Sequence, residues 1–147
     1  MKWVTRQGAK VDRVACPWLI ARFIDPQAQF LYAPVQEVLE VARRERATPF
    51  DTRGADLDHK EGKCTFEVIL DRYGVHDPGL QRLANIVHGA DIPQDIAIAP
   101  ESAGLRAFAE GLHATCPDDQ RKLDLAFPLY DALYAYCKQA SGQATQS

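Results

Sequence analysis

Along the first third of the chain, apolar positions switch between a period of two and a period near four. In "KWVTR" (residues 2–6), Trp3 and Thr5 fall on one side and Val4 on the other, which predicts a short strand. "DRVACPWLIARFID" then reads as a loop feeding a helix. Pro17 suits the first helical position, where its missing N–H costs nothing, and Cys16 becomes the N-cap. Pro26 pushes the residue before it out of the helical region, so this helix should end near Asp25. "QFLYAP" predicts a second strand and "TPFDT" a third. Between them "VQEVLEVARRERA" places Val35, Val38, Leu39 and Val41 or Ala42 at helical spacing, with a basic end that suits a helix C-terminus.

The remaining two thirds read as helices. Gly54 to Lys63 is polar and glycine-punctuated, a loop, after which Cys64 or Thr65 opens the helix "TFEVILDRYG" and Gly74 closes it. In "DPGLQRLANIVHGAD", Asp77 caps, Pro78 takes the first position, and Leu80, Leu83, Ala84 and Val87 share a face. "IPQDIAIAP" reads as extended. "ESAGLRAFAEGLHATC" and "DDQRKLDLAFPLYDALYAYCKQ" are two more helices, the second kinked or restarted at Pro128. The pattern predicts one α+β domain over residues 1–139, predominantly helical, with five to six helices and a small sheet from the N-terminal third. A small, polar, flexible tail is expected over 140–147.

Composition narrows the class and little else. The 147 residues are 46% hydrophobic and 25% charged, as in an ordinary soluble domain. The net charge of −3 offers no basic field for a phosphate backbone, so no direct nucleic-acid contact is expected. Neither a membrane span nor an apolar signal core is visible, and a cytoplasmic location follows as the expectation. Cys16, Cys64, Cys116 and Cys137 form no CxxC pair and read most simply as four free thiols.

Two polar clusters carry the candidate chemistry. "HKEGKCTFE" holds His59, Cys64 and Glu67, and "IVHGAD" holds His88 and Asp91 three residues apart on a helix. Two imidazoles and two carboxylates suit one divalent ion, zinc, manganese or iron, if the polar loop folds back so that His59, Glu67, His88 and Asp91 meet. Glu67 is also accounted for as a first-turn carboxylate favoured by the helix dipole. Arg13, near the start of its helix, is placed to hold an oxyanion, and Arg22 either joins it or pairs with Asp25 or solvent. Asp131, beside Tyr130 in an aromatic helix, needs a partner, and a ligand histidine or a buried arginine is the obvious one. Cys16 and Cys64 read either as buried thiols or as redox groups, the second reading sharpened for Cys16 if Arg13 lowers its pKa. His76 and His113 read as surface residues.

"KVDRVACPWLIARFIDPQAQFLY", "PFDTRGADLDH", "CTFEVIL", "LANIVHGAD" and "PLYDALYAYC" together resemble the C-terminal domain of the chromate-resistance ChrB family, here in stand-alone form. The resemblance runs from about Trp3 to Cys137. It implies a stress-response domain that senses or handles an oxyanion or a metal, with Arg13, Arg22, His59, Glu67, His88 and Asp91 at its polar motif positions. The family's regulators carry a further N-terminal DNA-binding portion that this sequence lacks. The expected function is binding of one divalent metal ion, which supports redox or hydrolytic chemistry if its shell keeps an open position and is structural or sensory if the shell is closed. The rival expectation is a metal-free chromate sensor using Arg13 and Arg22. A small oxyanion such as chromate is the expected partner, and assembly into a homo-oligomer is left open.

Overall fold

A computed structural model describes residues 1–142. Three parallel strands, β1 (Lys2–Arg6), β2 (Gln29–Ala33) and β3 (Thr48–Pro49), form a sheet in the order β2-β1-β3. Lys2 lies opposite Gln29 and Arg6 opposite Ala33, while Trp3 and Val4 face Thr48 and Pro49. Parallel strands need crossovers, and here these are α1 (Asp12–Leu19), extended by a wider turn over Ile20–Ile24, and α2 (Val38–Glu45). The alternation along β1 divides the packing. Val4 is buried with Ala33, Val38 and Ala42 under α2, whereas Trp3 faces the main core. Four further helices complete the described residues: α3 (Thr65–Arg72), α4 (Pro78–Asp91), α5 (Ser102–Thr115) and α6 (Asp119–Ala140). The chain is therefore α+β and predominantly helical.

Helix α1 departs from the expected start. It begins at Asp12, so Cys16 is no N-cap and Pro17 lies inside the helix. A proline there supplies no N–H to the carbonyl four residues back, that of Arg13. The Tyr32 hydroxyl donates to that carbonyl at 2.7 Å, so a side chain of β2 takes over the bond the proline removed. The helix still ends where Pro26 predicts, with the Asp25 N–H bonded to the Ile20 carbonyl at 2.7 Å. Pro128 neither breaks nor restarts α6, which runs through it without interruption. Residues Pro93–Ile98, expected to be extended, form tight 3-10 turns instead. The tail expected from Ala140 starts at the last residue of α6, and residues 143–147 lie outside the described residues.

Helix α4 is the hub, packed against α3, α5 and α6. Leu80, Leu83, Ala84 and Val87 are buried as their spacing predicts, and Asp77 caps by accepting the Leu80 N–H at 3.0 Å. At Gly89 an added Cβ would collide with Ser102 and Ile98, so this glycine is what lets α5 approach. The Ser102 hydroxyl then reaches the Ile86 carbonyl at 2.9 Å. Helix α6 also ties down the loop ahead of α1. Asp119 accepts the N–H groups of Gly8 and Ala9 at 2.9 and 2.8 Å, and buried Lys122 donates to the Ala9 carbonyl at 2.8 Å. His113, expected at the surface, is half-buried and accepts from Lys122 at 2.8 Å; His76 is exposed.

Candidate metal centre

Three carboxylates and one imidazole converge near the carboxyl ends of β1 and β3, the end at which open parallel sheets place ligand sites. Asp12 opens α1 and is 1% exposed. Its Oδ2 accepts the Thr65 N–H at 2.8 Å and its Oδ1 the Phe66 N–H at 3.4 Å, so it satisfies the free donors that begin α3. Asp51 follows β3 in a left-handed conformation, φ 50°, a position aspartate tolerates better than most residues. That turn aims its carboxylate inward, where Oδ1 accepts from the Thr65 hydroxyl at 2.8 Å. Oδ2 lies 3.3 Å from Arg6 Nη2 and 3.4 Å from Arg13 Nη1.

The polar loop does fold back. The Asp51 N–H bonds to the Leu57 carbonyl, and Lys60 and Lys63 close a two-residue turn whose central Glu61 and Gly62 both have positive φ. His59, just before that turn, is thereby held over the acids. Its Nε2 lies 3.0 Å from Asp91 Oδ2, 3.2 Å from Asp12 Oδ2 and 3.4 Å from Asp51 Oδ1. Hydrogen bonds to Asp12 and Asp91 raise the His59 pKa to about 10. Burial, then the charge of Asp91, pushes Asp12 upward against the His59 bond. Burial also raises Asp51, opposed by the Thr65 hydroxyl and Arg13.

The four residues expected to share one ion do not gather at a single point. Asp91 joins His59, with Asp12 as their third member, while Glu67 and His88 belong to a second group with Cys64. In that second group each histidine nitrogen has its own carboxylate. Nδ1 lies 2.5 Å from Glu67 Oε1 and Nε2 lies 2.7 Å from Asp95 Oδ2. Burial disfavours charge on His88, but the two hydrogen bonds outweigh it and its pKa is raised. A ring that donates from both nitrogens keeps no lone pair for a metal. Glu67 in turn accepts the Cys64 N–H at 2.9 Å, completing a capping box around the N-terminus of α3. The Glu67–His88–Asp95 group is thus satisfied without an ion.

Arg13 stays at the edge of the first cluster, bonded to Asp51 and to the Gly8 carbonyl at 3.0 Å, with its Nε buried and without a partner among the described residues. Arg22 is elsewhere. It grips Asp131 with two bonds of 3.0 Å and stacks over Phe127, so Asp25 is not its partner. Asp131 is completed by the Trp18 indole N–H at 2.7 Å and orients no histidine. Tyr130 is buried, and its phenol, raised first by burial, also feels the charges of Asp12 and Asp91. Cys16 and Cys64 are fully buried. Burial first, and then the charge of Asp12, pushes both thiols up, the reverse of the activation by Arg13 considered for Cys16.

Asp12, Asp51 and Asp95 are the residues that pattern reading passed over. Asp12 was hidden by the helix start, since beginning the helix at Pro17 leaves it in a loop. No local signal marks Asp51 or Asp95, whose side-chain partners lie 8 and 7 residues away at the nearest.

The family model for the ChrB C-terminal domain matches residues 3–137. Protein ChrB of Cupriavidus metallidurans is 38% identical over 138 residues, covering 92% of this chain and 40% of that protein. The chain therefore spans about two fifths of the length of the curated relative it matches. No solved structure matches. Among the described residues no helix is long and apolar enough to cross a membrane. With Asp12 and Arg13, the turn at Asp51, His59, Glu67, His88 and Asp91 all inside the matched span, the chain belongs to the ChrB C-terminal domain family.

Proposed function

We propose that this domain, which carries its family's association with chromate resistance, binds one divalent metal ion through Asp12, His59 and Asp91, with Asp51 beside them. The observation that carries the reading is the crowding at His59 Nε2, where three carboxylate oxygens from separate elements lie within 3.4 Å. One N–H can serve one of those acceptors well, whereas a cation serves all three. Imidazole nitrogen with carboxylate oxygen suits zinc, manganese or ferrous iron.

The chain's own residues prepare the donors. Thr65 and Phe66 hold Asp12 through their N–H groups, the Thr65 hydroxyl and two arginines hold Asp51, and α4 presents Asp91. His59, 46% exposed, forms the open side from which an ion and a small oxyanion would enter. A bound ion with an open position would acidify water or polarise an oxyanion, which is the basis for hydrolytic chemistry at this site; redox chemistry would need a redox-active ion such as ferrous iron together with an external electron donor.

Elemental analysis of purified protein, before and after reloading with zinc, manganese or ferrous iron, tests the proposal. About one equivalent is expected in the parent and none in His59→Ala and Asp91→Asn. Full metal content in both variants removes the site.

One observation favours a second reading, a metal-free oxyanion module: the buried Nε of Arg13, without a partner among the described residues. That reading keeps Arg13 and loses Arg22, which Asp131 already occupies. It requires chromate or sulfate to protect against thermal unfolding in the presence of a chelator. Protection that disappears with the chelator returns the oxyanion to the metal.

A further inference from the structure

Helices α5 and α6 each present two apolar faces. The inner faces, with Leu105 and Ala109 on α5 and Leu123, Ala126 and Tyr130 on α6, are buried in the core. The outer faces repeat the same periodicity toward solvent. On α5, Gly104, Ala107, Gly111 and Ala114 recur at spacings of three, four and three, and all are exposed. On α6, Leu125, Leu129, Ala132 and Tyr136 recur at four, three and four, with Leu125 48% and Tyr136 47% exposed. A groove of about 490 Å³ lies between the two helices, with Phe108 and Leu133 among its walls. Alternation of three and four is the pattern by which one helix receives another.

The two glycines sharpen the case. Glycine weakens a helix relative to alanine, yet a Cβ at Gly104 or Gly111 would meet nothing within 4 Å. Nothing inside the fold therefore requires them, whereas a second backbone approaching closely would.

We propose that this face binds a second copy of the chain, α5 packing antiparallel against the α5 of the other copy about a two-fold axis near Ala107 and Phe108. Charge decides for a second copy. Arg106 and Glu110 lie on the same flank of the seam. Antiparallel pairing about residue 108 sets Arg106 of each copy opposite Glu110 of the other, whereas parallel pairing would turn this flank of the two copies to opposite sides of the seam, where Arg106 and Glu110 do not meet. Arg106 makes no ion pair among the described residues, and Glu110 holds exposed Lys10 at 3.1 Å. The same register sets Gly104 of one copy opposite Leu112 of the other, one position from Gly111. A patch complementary to itself is what a two-fold interface needs, and a partner of different sequence would not require it. The face lies on α5 and α6, which contribute no residue to the proposed metal centre.

Sedimentation equilibrium with protein up to about 200 µM tests this. The parent is expected to be a dimer. Ala107→Glu, an exposed helix position where folding is checked by far-UV circular dichroism, is expected to be a folded monomer. Arg106→Glu and Glu110→Arg are each expected to raise the dimer dissociation constant at least about tenfold, and the double exchange to restore it. A parent that stays monomeric overturns the proposal and leaves the face to a different partner. So does an Ala107→Glu protein that dimerises like the parent, or a double exchange no tighter than the single ones.

Discussion

His88→Ala separates the two readings of the polar residues, because the geometry makes this histidine a structural cation and not a ligand. The substitution deletes a charge-assisted bond to Glu67 at 2.5 Å and another to Asp95 at 2.7 Å. The first, at a buried ring, contributes about 2 kcal/mol. The second ends on a carboxylate that is 45% exposed, and solvent screening reduces it to about 0.5 kcal/mol. Loss of the buried ring adds about 1 kcal/mol. The sum, about 3–4 kcal/mol, lowers the melting temperature by about 10 °C for a domain of this size. Metal content should stay at the parent value, since Asp12, His59 and Asp91 are untouched.

A pH arm strengthens the same experiment. The folded-state pKa of His88 is raised above 6.5, so its contribution is fully present below that pH and fades as pH rises through the folded value. The gap in melting temperature between parent and His88→Ala should therefore be widest at mildly acidic pH and narrow at alkaline pH. Calorimetry and elemental analysis on the same preparations read both quantities. A variant that loses its metal while melting within a degree or two of the parent would refute the reasoning, because His88 would then be a ligand.

Tyr32→Phe leaves the Arg13 carbonyl without the donor that replaces the Pro17 N–H, and should cost about 1 kcal/mol by urea unfolding with metal content unchanged. Gly89→Ala forces a methyl group against Ser102 and Ile98 where α4 meets α5, and should destabilise by about 1–3 kcal/mol, the opposite of the usual gain from replacing a helical glycine. Cys16 and Cys64, buried and with raised pKa, should react with a thiol reagent only as fast as the protein opens, so their modification should accelerate in denaturant.

Local rules made much of the fold legible in advance. Alternation in "KWVTR", the Asp77-Pro78 cap and the stop imposed by Pro26 act within a few residues, and the chain carries those signals wherever it goes. The predicted strands and most helices follow from them. Pro17 misled because a proline reads locally as a helix start, whereas Tyr32, fifteen positions further along, makes an interior proline tolerable. The segment at residues 93–98 misled in the same way, its apolar content satisfying the extended pattern equally well.

Sequence by itself determined which residue types were available: two histidine-bearing motifs, a basic pair and a supply of acids. Only the tertiary structure decided how they were shared out. His59 meets Asp91 across 32 positions and Asp12 across 47, and His88 turns instead to Glu67 and Asp95. Hydrogen bonds and ion pairs act over about 3 Å of space and are indifferent to separation along the chain. Which carboxylate faces which imidazole is settled when α1, α3 and α4 pack, a consequence of core burial that no motif spells out.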